Sequence, residues 1–232
     1  MKEKTDILLF HGALGSQQQF NILKKLLQPH FKVHSFNFSG HGNSSTDREF
    51  SMELFQNDVL SYMEENSLTS ANIFGYSMGG YVALKLAINY PEKVEKLMTL
   101  GTKIRWDVET AEKEVKLLRP EEMLEKIPQF VEMLKKEHGT ENWKTLVLKT
   151  AQMMHGLGNG NAIALESLKI VEAKVLVALG SKDKMVSKNE SQELVAKLNQ
   201  GKFLEIEGFK HPIVQIDQEQ LSEIIISYFL KK

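Results

Sequence analysis

Ala71-Asn72-Ile73-Phe74-Gly75-Tyr76-Ser77-Met78-Gly79-Gly80 is the stretch around which the rest of the chain is organised. Ala71, Ile73 and Phe74 read as a short buried strand. Gly-x-Ser-x-Gly follows, and the run from Tyr81 to Tyr90, stopping before Pro91, reads as a helix. Strand, sharp turn and helix form the setting in which a serine hydroxyl becomes a nucleophile. Such a turn strains the serine backbone, so its neighbours must be small. Gly75 and Gly79 meet that demand, and the helix N-terminus behind them offers free amides to an oxyanion. Gly-x-Ser-x-Gly alone arises by chance in many chains, so its meaning depends on what surrounds it.

Upstream, Ile7 to Phe10 is an apolar run ending in His11-Gly12-Ala13-Leu14-Gly15-Ser16, a buried strand and a tight loop. Ser16 is a candidate N-cap for a helix carrying Phe20, Leu23 and Leu27, with Ile22 and Leu26. A second strand, Val33 to Phe38, enters a turn-rich segment. Ser51 then opens a helix bearing Phe55, Val59 and Tyr62. Downstream, a fourth strand from Leu97 to Leu100 ends at Gly101. Strands alternating with helices predict a parallel sheet covered on both faces, a three-layer α/β/α sandwich.

Between about Ile104 and Gly160 the alternation lapses. Three helical stripes are expected there: Ala111, Val115 and Leu118; Leu124, Ile127 and Val131; and Trp143, Leu146 and Val147. Pro120 and Pro128 break them, and Gly156-Leu157-Gly158-Asn159-Gly160 reads as a loose, mobile return. The expected division is a core of residues 1–103 and 161–232 with a helical insertion over 104–160. Alternation resumes with a fifth strand, Val175 to Leu179, ending in Gly180-Ser181-Lys182-Asp183. Ser187 and Glu190 predict a capping box. The last strand, Phe203 to Ile206, leads to Gly208-Phe209-Lys210-His211, and a C-terminal helix presents Leu221, Ile224, Ile225 and Tyr228.

Composition bounds the chemistry. Over 232 residues, 42% are hydrophobic and 25% charged, and the net charge of −1 argues against nucleic acid or anionic membrane as a partner. There is no cysteine, which excludes disulfides, thiol catalysis and thiolate metal sites. No cluster of histidines and carboxylates has metal-ligand spacing, and no Gly-rich loop has the Gly-Lys-Ser/Thr of a phosphate cradle, so neither metal nor organic cofactor is expected. The N-terminus lacks a signal-peptide pattern, and a cytoplasmic monomer or homodimer is the expectation.

Ligands of open α/β sheets bind beyond the carboxyl ends of the strands. His11-Gly12, Ser77, Asp183 and His211 all sit at such ends. A serine hydroxyl needs a base of near-neutral pKa, and the base needs an acceptor to fix its tautomer. Ser77, Asp183 and His211 supply the three roles. Asp217 and Glu207 are alternative acids, but neither ends the fifth strand. His41 competes with His211 as base, although it reads better as part of its Gly-rich loop, and His11 reads as shaping its own. His30, His34 and His138 are expected at the surface, and His155 in solvent at the end of the insertion.

Taken together, these motifs resemble the α/β-hydrolase fold, over nearly the whole chain. Gly75 to Gly80 resembles its nucleophile elbow, His11 to Gly15 its His-Gly oxyanion loop, and Gly40-His41-Gly42-Asn43-Ser44 its Gly-x-Gly-x-Ser turn. Asp183 and His211 occupy the acid and base positions. The family usually begins with extra antiparallel strands, which this N-terminus is too short to hold. The resemblance therefore implies a six-stranded parallel sheet in the order 2-1-3-4-5-6. It further implies oxyanion donors at the backbone amides of Met78 and Ala13, with Leu14 as a substitute for Ala13. The insertion over 104–160 resembles the family's helical cap.

The activity implied is a serine hydrolase acting on a small carboxylic ester or thioester. Arg105, Trp106 and Trp143 are the candidate substrate-binding residues. Arg105 could grip a substrate carboxylate, although a surface ion pair is the simpler reading. The cap methionines Met123, Met133, Met153 and Met154 read as core filler. Two alternatives remain open. One is a triad lyase or C–C bond hydrolase resembling the menaquinone-pathway succinyl-hydroxycyclohexadiene-carboxylate synthase. The other is a ligand-sensing regulator on the same fold, which an exposed apolar patch on the cap would favour.

Overall fold

The strands pair in the order β2-β1-β3-β4-β5-β6, and every pairing is parallel. They are β1 (Asp6–Phe10), β2 (Lys32–Ser35), β3 (Ala71–Tyr76), β4 (Val94–Leu100), β5 (Lys174–Gly180) and β6 (Gly201–Ile206). The structure is a computed structural model that describes residues 4–231. Because successive side chains alternate across a strand, Leu8 and Phe10 enter one core while Ile7 and Leu9 enter the other. The central strands are buried on both faces, and so their sequences run largely apolar without alternation, Asn72 in β3 being a buried polar exception.

Two helices, α1 (Asn21–Leu27) and α9 (Gln218–Leu230), cover one face with Leu23, Leu27, Leu221, Ile225 and Phe229. The last three are spaced four apart, so they fall on one side of α9, and burial of each stabilises the fold by about 2 kcal/mol. The other face is covered by α2 (Met52–Glu65), α3 (Met78–Asn89) and α8 (Lys188–Lys197). Ser16 caps a short 3₁₀ turn, Gln17–Phe20, ahead of α1, and Ser51 caps α2 through the Leu54 amide at 3.0 Å.

Between β4 and β5 lie four helices rather than the expected three: α4 (Val108–Val115), α5 (Pro120–Lys126), α6 (Pro128–His138) and α7 (Trp143–Gly156). The stripe of Leu124, Ile127 and Val131 is divided because Pro128 opens a helix of its own. Ile127 is left between the two at φ −138°, ψ 54°. The return segment is also not a loose loop. After α7 a wider helical turn, Leu157–Asn161, keeps Gly158 against α4, where a Cβ would come within 2.6 Å of the Ala111 side chain.

The capping box at α8 forms only half. Ser187 Oγ accepts from the Glu190 amide at 3.2 Å, but the Glu190 carboxylate does not reach back. It is buried and accepts from the Ile104 and Arg105 amides at 2.8 and 2.9 Å, which ties the first residues of the insertion to the core. A second tie is at the other end, where the Ile163 amide donates to the Tyr81 hydroxyl on α3 at 2.6 Å.

Candidate active site

Ser77 stands between β3 and α3 at φ 51°, ψ −116°, a conformation that costs a non-glycine residue on the order of 1–3 kcal/mol. Hydrogen bonds to its backbone hold it there, the Tyr81 amide donating to its carbonyl at 3.3 Å among them. Its amide donates to Leu100 O at 2.9 Å, and its carbonyl accepts from the Gly80 amide at 3.0 Å and from Thr102 Oγ1 at 3.1 Å. Gly79 allows the close approach of α3 to β1, because a Cβ at that position would overlap the Phe10 carbonyl.

His211 follows β6 and Asp183 follows β5, so the parallel register brings both to the edge of the sheet where β3 ends. The His211 Nδ1–H donates to Asp183 Oδ2 at 2.8 Å, and its Nε2 faces Ser77 Oγ at 3.2 Å. With Nδ1 donating, Nε2 is left as acceptor for the serine proton. Asp183 Oδ1 is occupied by the Met185 and Val186 amides at 2.8 and 3.0 Å. Burial pushes the Asp183 carboxyl up, but the hydrogen bond and charge of His211 and the two amides outweigh it and hold it below its ordinary value. Gly101, at φ 61°, leaves the space beside this pair: a Cβ there would sit 3.0 Å from Asp183 Oδ2. Neither Asp217, which caps α9, nor Glu207 is bonded to His211 among the described residues.

Ala13 and Met78 line a cavity of about 50 Å3 together with Ser77. Their amides donate to no acceptor among the described residues, which leaves both free for an oxygen on the reacting carbon. The remaining walls are mainly apolar: Met52, Tyr81, Trp106, Met153, Met154 and Leu157, with Lys103. A larger hollow of about 830 Å3 lies among Lys174, Gly201 and Tyr228 at the N-terminal ends of β5 and β6, far from this chemistry.

The three predicted substrate-binding residues separate. Trp106 lines the cavity, and its buried Nε1–H has no acceptor among the described residues. Arg105 does not line it; its guanidinium is mostly exposed and paired with Glu193 on α8. Trp143 is fully buried inside the insertion, in one apolar cluster with Val131 and Leu134 of α6. Met153 and Met154 contribute to the cavity wall rather than serving only as filler. Lys103, Met52 and Tyr81 were not anticipated. Lys103 could have been, since it lies three residues beyond the end of β4. Its ammonium is 3.6 Å from Glu114 and 3.7 Å from Glu190.

His138, expected at the surface, is buried at the end of α6. With His11 and His41 it forms a group of three imidazoles, ring centres 5.0 and 6.2 Å from His41. His11 Nε2 accepts from the Phe38 amide at 3.1 Å and its Nδ1–H donates to Gly12 O, so both loops are built on this ring. Burial lowers all three; it carries His11 down to about 4, and neighbouring His11 adds to the effect on His41. The sign of the consequence follows from linkage. Above pH 6.5 the rings are neutral folded or unfolded and contribute no pH dependence. Below it the unfolded chain takes protons that the folded chain refuses, so stability falls. His11 alone should remove on the order of 2 kcal/mol by pH 5. Urea unfolding between pH 7 and 5 checks this; a flat stability over that window would contradict it.

The family model described as the alpha/beta hydrolase fold matches residues 6–132. Among curated proteins, the chain is 34% identical over 99 residues to a pimeloyl-[acyl-carrier protein] methyl ester esterase of Pectobacterium carotovorum, covering 42% of this chain and 37% of that one. It is 27% identical over 173 residues to the enzyme of that name from Aliivibrio fischeri, covering 75% and 60% respectively. These matches thus span less than two thirds of either relative. Among solved structures, the enol-lactonase from Burkholderia xenovorans superposes with a TM-score of 0.82 at 17% identity, covering 99% of this chain and 92% of that one. A thermophilic esterase from Thermogutta terrifontis gives 0.77 at 20% identity, covering 97% and 89%. At such identities the superpositions speak for the fold alone, and they agree with the family match over more than half of the chain: the protein belongs to the α/β-hydrolase fold family.

Proposed function

We propose that this protein is a serine hydrolase that cleaves small carboxylic esters or thioesters through an acyl-enzyme. The observation that carries the reading is the continuous chain of contacts from Asp183 through His211 to Ser77, 2.8 and 3.2 Å long, beside two unoccupied amides. His211 Nε2 takes the Ser77 proton as Oγ attacks the acyl carbon. The Ala13 and Met78 amides hold the oxyanion, and His211 then protonates the departing alcohol or thiol. Water activated by the same imidazole releases the acid. No step calls for a metal, and activity is expected to persist in chelator. The ester chemistry in the names of the two curated relatives supports the same reading.

A cavity of about 50 Å3, where about 10–15 Å3 on the same measure holds one water, has room for only a few waters and suits a short acyl group. On a panel of p-nitrophenyl esters, acetate and propionate should therefore exceed octanoate in kcat/KM by at least about tenfold. Met153→Ala should narrow that gap by opening the wall. A rising profile toward octanoate in the unmodified protein would refute the short-acyl assignment. Absence of hydrolysis across the whole panel would refute the esterase reading itself.

The lyase reading receives less support. Arg105 is engaged with Glu193, and Lys103, the cation of the cavity wall, is flanked by two carboxylates that already offset its charge. A partner-binding role for the cap has one observation in its favour: Val108, Leu117, Leu124, Ile127, Phe130 and Leu148 are exposed there.

A further inference from the structure

The Gly12–Gly15 turn carries one of the two amides assigned to the oxyanion, and it is held from the cap. The Gly15 amide donates to Gly12 O at 3.1 Å, closing the turn, and Leu14 occupies its third position at φ 57°. That left-handed conformation is unfavourable for leucine, because its Cβ crowds the adjoining carbonyl. Within the turn, the Gly15–Gly12 hydrogen bond offsets part of that cost.

Two consecutive residues at the end of α6 supply what the turn lacks. His138 Nε2–H donates to Leu14 O at 3.0 Å, and His138 Nδ1 accepts from the Gly42 amide at 2.8 Å. The ring is therefore a fixed neutral tautomer that bridges two loops, and its side chain is fully buried. Next to it, Glu137 Oε2 accepts from Ser16 Oγ at 2.9 Å. The contacts to Leu14 and Ser16 cross more than 120 residues of sequence and connect the insertion to the loop beside Ser77.

We propose that His138 is a positioning residue: by holding the Leu14 carbonyl it sets the Gly12–Gly15 turn and aims the Ala13 amide at the oxyanion. The cap thereby completes the reaction centre as well as roofing it. This rests on the serine-hydrolase reading, within which it assigns a role to a residue that touches neither substrate nor the reacting atoms.

The test uses the full chain with three substitutions. The terminal amide nitrogen of glutamine reaches the position of Nε2, whereas asparagine reaches only that of Nδ1. His138→Gln can restore the bond to Leu14, and His138→Asn only the one to Gly42. For each variant, kcat, KM, thermal stability and inhibition by a trifluoromethyl ketone are measured, along with the rate at which a fluorophosphonate labels Ser77. Removal of one oxyanion donor costs about 10²–10³ in kcat. His138→Ala, which loosens a donor rather than deleting it, should lower kcat about 10- to 100-fold with KM within about twofold. Affinity for the ketone should fall in parallel. His138→Gln should retain most of kcat and His138→Asn should not.

A role confined to docking the cap would raise KM, leave kcat and ketone affinity alike, and make the asparagine and glutamine variants equal. That outcome overturns the proposal. So does a folded His138→Ala with unchanged kcat, and if alanine does not fold, the asparagine–glutamine contrast decides. A native protein that the fluorophosphonate leaves unlabelled at Ser77 overturns the serine-hydrolase reading and this inference together. Normal labelling with indifferent His138 variants overturns the inference alone.

Discussion

Ser77→Ala is expected to reduce kcat/KM for the best ester by on the order of 10⁵, with the fold intact and fluorophosphonate labelling abolished. The size follows from the number of terms lost together. Without Oγ there is no nucleophile and no acyl-enzyme, and the His211 Nε2 that faces Oγ at 3.2 Å has no proton to accept. What remains is weak, water-based catalysis assisted by the two amides. Stability should not fall, and could rise, because Ser77 is held at φ 51° by its backbone bonds to Leu100, Gly80 and Thr102, none of which involves Oγ. Mass mapping after labelling, with unfolding curves for both proteins, checks the two halves separately. Label on a different serine, or a variant that keeps more than a few per cent of activity, would remove Ser77 from its role.

Asp183→Asn is expected to lower kcat by on the order of 10⁴ near neutral pH, more than the loss of one hydrogen bond would suggest. The structure dictates how the asparagine must sit. Asp183 Oδ1 accepts from the Met185 and Val186 amides, and only an oxygen can remain there. The new NH₂ is thereby turned toward His211 Nδ1, which must now accept. The imidazole proton moves to Nε2, and the ring can no longer take the serine proton. Asp183→Ala, which leaves Nδ1 free of that donor, should be less damaging at kcat than a forced wrong tautomer implies. Equal rates for the native protein and Asp183→Asn would show that this carboxylate does not orient the base. Because the Asp183 carboxyl is held below its ordinary value near 3.8, its stabilising contribution is present above that pH and lost as pH falls through the lowered value.

The same logic separates the residues proposed to set the rate from those proposed to select the substrate. Ser77, Asp183 and His211 follow three different strands of one sheet, so their spacing is fixed by hydrogen-bond register. Much of the cavity wall comes instead from the insertion and the start of α2, through flexible methionines at Met52 and Met153, with Tyr81 from α3. Substitutions in the first set should depress all esters together; those in the second should reorder them.

What the sequence determined was whatever depends on local pattern and chain order. Short apolar runs and period-3.6 stripes marked the strands and helices, and their alternation implied a parallel sheet, while the order 2-1-3-4-5-6 that the structure has was implied by the resemblance to the α/β-hydrolase fold. Gly75, Ser77 and Gly79 were legible because a strained strand-to-helix turn admits so few residue types. The positions of Asp183 and His211 were legible because each lies in the loop that leaves a strand, three residues past β5 and five past β6. Only the tertiary structure decided which cap side chains face inward. Pro128 divided an apolar stripe that reads as one helix, Arg105 found Glu193, and Trp143 filled the cap interior. His138 and Glu190 carry the same lesson. Each is polar, sits at or near a helix end, and looks suited to solvent. Each is buried because an amide or carbonyl more than 80 residues away in sequence offers it a hydrogen bond. Partners that distant leave no periodicity in the chain, and so their meeting is a property of the fold alone.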